Sequence, residues 1–193
     1  MNSKLTFSDH ILAITKKAYT QSILLTRCFL SRNPILLKIA FASYVRPILE
    51  YASPVWSPRN TKDIIAIDNV QRRFTKSIPN LHSLPYSSRL KRLNLQSLST
   101  RRSTADLCTV YRILHNLTPL VSSDFFSLRN TATRGHPFTL VKPPVRLDSC
   151  KFAFHSRVIN LWNSLPLTIV LSHSLTSFKL KLKSLPPDFF TRS

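Results

Sequence analysis

The chain has 193 residues and a net charge of +20, from 28 Lys and Arg against 8 Asp and Glu. A hydrophobic content of 43% argues against full disorder, and the single glycine, Gly135, excludes both the dinucleotide-binding fingerprint and the P-loop. Because so much positive charge repels itself unless a polyanion neutralises it, the predicted partner is nucleic acid, with an anionic membrane surface as the weaker rival.

The three cysteines, Cys28, Cys108 and Cys150, form an odd and widely spaced set. Such a set predicts no disulfide framework and a reduced, intracellular protein, nuclear or cytoplasmic and not secreted. Lys16 and Lys17 interrupt the first apolar stretch, and no run of about 18 apolar residues is present to span a bilayer. We therefore expect no membrane partner.

Residues 1–80 are predicted to form three helices. The first begins at Ser8 or Asp9, both good N-caps, and runs to about Arg32. The second begins at the Asn-Pro pair of residues 33–34, which combines a cap with proline at the first helical position. Its sequence, "ILLKIAFASYVRPILEYA", is apolar over most of its circumference, which is typical of a helix inside a bundle.

The second helix carries Pro47 in its interior and Glu50, the chain's sole glutamate. Proline removes a backbone hydrogen bond and predicts a kink, whose cost the burial of neighbouring apolar side chains outweighs. Glu50 lies four residues after Arg46, a spacing that favours an ion pair over a catalytic role. Taken together, the first three helices predict a mainly α fold that opens with a kinked three-helix bundle.

The third helix starts after Asn60, with Asp63 in its first turn, and has two different faces. At 100° per residue its apolar side chains fall within one arc: Ile64, Ile67, Val70, Phe74 and Ile78. The basic side chains fall on the opposite side: Arg72, Arg73 and Lys76. A solvated charged face is one interpretation. The scarcity of acidic neighbours favours the other, that these three side chains contact backbone phosphates.

Residues 81–117 are predicted to be a helical extension, with a short helix opened by Pro85 and a longer one from about Ser97 to His115. Its basic side chains, of which those of the short helix are predicted to be exposed, would extend the phosphate-contacting track of the third helix. They are Arg89, Lys91, Arg92, Arg101 and Arg102.

The C-terminal part is predicted to be smaller and also helical. Residues 118–150 are predicted to be an irregular, linker-like segment with one short strand at "FTLV". In residues 151–193, the stretch "KFAFHSRVINLWNSLP" predicts a helix that ends before Pro166. Ser174 caps a last helix whose inward residues are Leu175, Phe178, Leu182 and Leu185 and whose outward residues are Lys179, Lys181 and Lys183.

The sequence gives little support for catalysis. No two cysteines are close, and no histidine pair has the i, i+4 spacing of a metal site. Two-metal phosphoryl transfer needs clustered carboxylates, whereas the eight acidic residues are dispersed. Composition leaves a Ser/His/Asp site open, although no serine stands in a glycine-flanked nucleophile turn. We predict no metal, no cofactor, no small-molecule ligand and no enzymatic activity of this chain.

Several stretches resemble one family. "ASYVRPILEYASPVWSP", "IAIDNVQRRFTKSIPNL" and "RLKRLNLQSL" are similar to the region after the polymerase core in reverse transcriptases of jockey-like, LINE-type non-LTR retrotransposons. The similarity continues through "LCTVYRILHNLT", "DFFSLR", "TRGHPFTL" and "RVINLWNSLP", over about residues 4–185. Asn94 stands where the family has glycine, and asparagine tolerates the left-handed conformation that such a position requires.

The resemblance implies part of a polymerase without its active site. The first three helices would correspond to the thumb, which grips the template–primer duplex, and the remainder to the C-terminal helical extension. The Tyr-x-Asp-Asp signature of the palm is absent from the sequence, and the chain starts at a Met inside what is normally a longer protein. We therefore expect a truncated copy or fragment, with RNA, DNA or RNA–DNA hybrid as partner.

Two further hypotheses compete with nucleic-acid binding. The second is a helical structural or protein-interaction remnant with no independent activity. Its surface would pack on the missing palm through Leu36, Phe41, Trp56 and Trp162. The third is an active polymerase, which would extend a primer in the presence of magnesium, an outcome that we do not expect.

Overall fold

A computed structural model of the chain describes residues 6–129 and 136–191. The chain divides into two compact units, Met1–Arg101 and Arg102–Ser193. The described residues are mostly helical and contain no β-strand, which confirms the mainly α prediction. Every helix among them is too short or too polar to cross a membrane. The predicted segments 1–80 and 81–117 do not coincide with the units, because the helix after Pro85 packs on the third predicted helix and belongs with it.

Two long helices and several short ones around an apolar core form the first unit. In chain order its elements are α1 (Ser8–Cys28), α2 (Pro34–Ala40), a π-helical turn (Phe41–Val45), α3 (Arg46–Glu50), α4 (Ser53–Trp56), α5 (Thr61–Ser77), α6 (Tyr86–Leu93) and the first turn of α7 (Leu98–Leu114). Helix α1 packs against α5, α3 and the π-helical turn. The rings of Phe41 and Phe74 stack at 4.5 Å between centroids in the middle of this core.

The caps of α1 and α2 differ. Helix α1 ends at Cys28, before the predicted Arg32, because the backbone is extended at Phe29. Its cap is Phe7, and no side chain caps it. At α2 the prediction is confirmed, since Asn33 Oδ1 accepts a 2.8 Å hydrogen bond from the backbone of Ile35.

Pro47 is accommodated by a change of helix type. A π-helical turn precedes it, in which the Arg46 N–H donates to the carbonyl of Phe41, five residues earlier. Since Pro47 has no N–H to donate, the wider turn is a local solution to the missing bond. Val45 and Leu49 on either side are fully buried, so the interrupted helix still anchors the core.

The α2 helix and the π-helical turn also expose apolar side chains, contrary to the prediction of a helix inside a bundle. Among the described residues α2 packs on α1 and α6, and the exposed side chains of this segment are Ile35, Leu36, Ile39 and Tyr44. Of the side chains proposed to pack on a missing palm, Leu36 is exposed. The other three, Phe41, Trp56 and Trp162, are buried in the cores of their own units, which corrects that expectation.

Asparagine ends two helices where glycine would be usual. Asn94 follows α6 and Asn116 follows α7, with φ of 48° and 53°. In both, the backbone N–H of the residue after the asparagine donates to the carbonyl five residues earlier. Leu95 donates to Leu90 at 2.9 Å, and Leu117 donates to Arg112 at 2.8 Å. This confirms that Asn94 occupies the left-handed position, which asparagine tolerates better than most residues.

A separate core organises the second unit. Beyond α7 its elements are a 3₁₀ turn (Ser122–Asp124), α8 (Asp148–Lys151), α9 (Phe154–Asn163), α10 (Leu167–Val170), α11 (Leu175–Lys183) and a 3₁₀ turn (Pro187–Thr191). Tyr111 stacks on Phe178 at 4.5 Å, and Trp162 lies 6.0 Å from the same ring. As predicted, Ser174 caps α11, its Oγ accepting a 3.2 Å bond from the backbone of Ser177.

Two predictions for this unit are wrong. The stretch "FTLV" makes only an isolated antiparallel bridge between Leu128 and Leu140, with residues 130–135 of the intervening loop outside the described residues. The helix predicted from Lys151 onward is broken, since α8 ends at that residue and α9 begins at Phe154. The Ala153 backbone between them is extended.

Truncation of Phe74 to alanine should destabilise the first unit by about 3–5 kcal/mol, because the ring is fully buried and stacked on Phe41. The matched control is Leu30→Ala, at a side chain that is 94% exposed, where we expect a change within about 0.5 kcal/mol. Urea denaturation followed by circular dichroism measures both. Equal effects of the two changes would contradict the assigned core.

Candidate nucleic-acid interface

Helix α5 is held in a fixed rotation by the first unit's core. Its residues Ile67, Val70 and Phe74 are buried, as is Ile78 just after it, and Ile64 is half-buried. At its start Asp63 Oδ2 accepts a 2.8 Å hydrogen bond from Ser8 Oγ, the first residue of α1. The predicted apolar face of this helix is therefore confirmed.

The side of α5 away from the core carries the three predicted cations. Arg72, Arg73 and Lys76 are all exposed. Each arginine lies over a tyrosine ring of a neighbouring helix: Arg72 is 4.6 Å from the ring centroid of Tyr86 and Arg73 is 5.2 Å from that of Tyr19. The two guanidinium groups therefore lean toward different helices, α6 and α1.

The predicted exposure of Arg89 is wrong. This side chain is 7% exposed and forms hydrogen bonds with the C-terminal part of α5 and with the loop that follows it. Its Nε donates to Thr75 Oγ1 at 3.2 Å, its Nη1 to the carbonyl of Leu84 at 3.0 Å and its Nη2 to the carbonyl of Arg72 at 3.3 Å. The buried charge thus fastens α6 to α5, which removes Arg89 from the predicted contacts with nucleic acid.

Two further predicted contacts, Arg101 and Arg102, are also corrected. Arg101 forms a two-pronged pair with Glu50, through Nε to Oε1 and through Nη2 to Oε2 at 2.7 Å. The hydrogen bonds that Arg101 donates to this carboxylate raise the pKa of its guanidinium. The predicted ion pair between Arg46 and Glu50 is also present, with 3.9 Å between Arg46 Nε and Glu50 Oε1. Arg102 is buried in the second unit.

Lys91 and Arg92, in the last turn of α6, are exposed as predicted. Of the eight predicted contact residues, five therefore present their charge to solvent within the first unit: Arg72, Arg73, Lys76, Lys91 and Arg92. We call these five residues the basic face.

Tyr86 lies at the centre of the α5–α6 contact. Its hydroxyl accepts a 3.2 Å hydrogen bond from Nε2 of the buried Gln71, which also donates to the carbonyl of Gln96 at 3.0 Å. Burial, reinforced by the nearby charge of Asp68, raises the pKa of Tyr86 to about 12. The phenol therefore stays neutral at physiological pH, as an aromatic surface for Arg72.

Each unit contains a carboxylate that pairs with an arginine of the same unit. In the second unit the buried Asp106 accepts two 3.0 Å hydrogen bonds from Arg157. Burial is the larger influence and raises the pKa of the Asp106 carboxyl. Within the described residues, no three His, Cys, Asp or Glu side chains are grouped in a way that could hold a metal ion.

Tyr19 and Tyr86 are the residues of this surface that sequence reasoning missed. A signal was present for Tyr86, because Arg89 follows it by three residues and so lies on the same helical face. The Arg72–Tyr86 and Arg73–Tyr19 contacts join different helices, and sequence spacing carries no signal for them.

No family model matches the chain, and no solved structure matches it. A Caenorhabditis elegans protein described as uncharacterized is 26% identical to it over 117 residues. The match spans 59% of this chain and 59% of that protein's length. This likeness assigns neither a family nor an activity to the chain.

Arg89 and Arg92 offer a matched test of structural against surface cations on the same helix. Arg89→Met should destabilise the first unit by about 1–3 kcal/mol, because it leaves the carbonyls of Arg72 and Leu84 short of a donor. Arg92→Met should change stability by less than about 0.5 kcal/mol. Urea unfolding measures both, and an Arg89 variant as stable as the Arg92 variant would contradict the buried assignment.

Proposed function

We propose that the chain binds the sugar-phosphate backbone of nucleic acid, tolerates any sequence and performs no catalysis. The observation that carries the proposal is the exposure of the basic face. Arg72, Arg73 and Lys76 lie opposite the buried residues of α5, and Lys91 and Arg92 are exposed in the last turn of α6. Lysine and arginine side chains in such a track neutralise phosphates and release counterions, a source of affinity that does not depend on base identity.

The charge balance of the chain supports this proposal. The net charge of +20 has few acidic side chains to offset it, and Glu50 and Asp106 are already paired with Arg101 and Arg157. A surface that served solubility alone would mix both signs of charge. The resemblance to the region after the palm of non-LTR reverse transcriptases points the same way, toward the backbone of a template–primer duplex as the ligand.

Binding to an RNA–DNA hybrid should weaken with salt. Five phosphate contacts predict a slope of log affinity against log salt concentration near −4.5, from about −0.9 per contact. Changing Arg72, Arg73 and Lys76 together to alanine should reduce the magnitude of the slope by about 2.7. Fluorescence anisotropy between about 50 and 200 mM salt measures it.

The control removes the same amount of charge from exposed positions of the second unit: Arg112, Lys179 and Lys183 to alanine. We expect that variant to keep a slope close to that of the unchanged chain. A flat salt response of the unchanged chain, or equal losses in the two triple variants, would reject the proposed interface.

A protein-interaction role is the second candidate, and one observation favours it. Ile35 and Ile39, on the outward side of α2, are 66% and 54% exposed, and Leu36 and Tyr44 lie exposed beside them. Exposed apolar side chains this close in sequence can form the kind of patch that packs against another protein. Under this hypothesis the chain has no activity of its own and associates with another protein through the patch.

Changing Ile35 and Ile39 to serine discriminates this second candidate. If the patch drives association, the unchanged chain should form oligomers or aggregates in sedimentation velocity at low salt, and the double variant should be monomeric. Thermal melting should be nearly unchanged, because both side chains are exposed. A monomeric unchanged chain that melts cooperatively would count against this candidate.

A further inference from the structure

The two exposed arginines of α5 are supported from opposite sides. Arg72 lies over the ring of Tyr86 in α6, and Arg73 lies over the ring of Tyr19 in α1. Neighbouring residues of a helix point about 100° apart, so each guanidinium reaches a different adjacent helix. A guanidinium that stacks on a ring through its flat face keeps its N–H donors at the edge, where a phosphate can accept from them.

The supporting ring of Tyr86 is itself fixed. Its hydroxyl accepts from Gln71, whose amide also bonds to the carbonyl of Gln96. Arg89 lies 5.6 Å from the same ring centroid and donates to the carbonyl of Arg72. Buried groups on α5, on α6 and in the loop before α7 therefore hold the ring in place.

The ring of Tyr19 is positioned by the packing of α1 on α5. Ser8 bonds to Asp63 near the start of both helices, and Tyr19 meets Arg73 about three turns further along each. The two helices therefore run in the same direction. Ala18, next to Tyr19, is fully buried, which fixes the side of α1 on which the ring emerges.

We propose that Tyr86 and Tyr19 are positioning residues that hold Arg72 and Arg73 ready for phosphate before nucleic acid arrives. The inference rests on the proposed function. An arginine side chain loses considerable rotamer freedom when it is immobilised at an interface, and a side chain already ordered in the free protein loses less. The rings thus strengthen binding without touching the ligand.

Removing a ring while keeping an apolar side chain tests the role. Tyr86→Leu and Tyr19→Leu should each weaken hybrid binding at fixed salt by about twofold to fivefold, the range of one exposed cation–π contact. Neither should change the slope of log affinity against log salt, because the number of phosphate contacts is the same. Tyr86→Phe and Tyr19→Phe keep the ring and should bind the hybrid with the affinity of the unchanged chain.

A change in slope would show that the tyrosine is itself a backbone contact, and unchanged affinity in both leucine variants would overturn the proposal. Tyr19 is partly exposed, so its variants remain informative if Tyr86→Leu lowers the melting temperature.

A second readout needs no ligand and separates this inference from the proposed function. Nitrogen-15 relaxation of the Arg72 and Arg73 Nε groups should show restricted motion relative to Arg92, and the restriction should disappear at the residue whose ring has been removed. If the chain fails to bind any nucleic acid but these groups are ordered, the proposed function fails and the positioning contact stands. If the Nε groups of Arg72 and Arg73 move as freely as the Nε group of Arg92, the positioning role is wrong, whatever the binding measurement shows.

Discussion

The first unit depends on the one-sided burial of α5. Ile67, Val70 and Phe74 must face the core formed with α1 and the π-helical turn, so the helix has only one available rotation. That rotation places Arg72, Arg73 and Lys76 outside. Any change that turns α5 exposes several large apolar side chains at about 1.5–3 kcal/mol each, and therefore the basic face is as stable as the core beneath it.

The scarcity of acidic side chains shapes the rest of the charge distribution. Glu50 and Asp106 are each held by an arginine far along the chain, Arg101 and Arg157, and Asp63 accepts a bond from Ser8. Buried Arg89 needs no carboxylate, because a hydroxyl and two carbonyls satisfy it. Internal partners thus hold Glu50, Asp106 and Arg89, whereas the five cations of the basic face are exposed.

Local features were predictable from the sequence. Helical periodicity predicted the two faces of α5, and capping chemistry predicted the starts of α2 and α11. The left-handed Asn94 was implied by the family resemblance, in which glycine stands at that position. Features that depend on packing between distant segments were not predictable from the sequence. Exposure of Ile35 and Ile39 depends on where α1 and α6 pack on α2, and burial of Arg89 depends on the docking of α6 on α5. The Glu50–Arg101 pair spans 51 residues, which no local spacing encodes.

The most direct test of the account is protection of individual arginines from an arginine-specific dicarbonyl reagent, read by mass spectrometry with and without an RNA–DNA hybrid. The account predicts that Arg72, Arg73 and Arg92 react in the free chain and are protected by the hybrid. Exposed Arg112 should react equally in both states, and buried Arg89 should stay unreactive throughout. Equal protection of Arg112 and the basic face, or no protection at all, would contradict it.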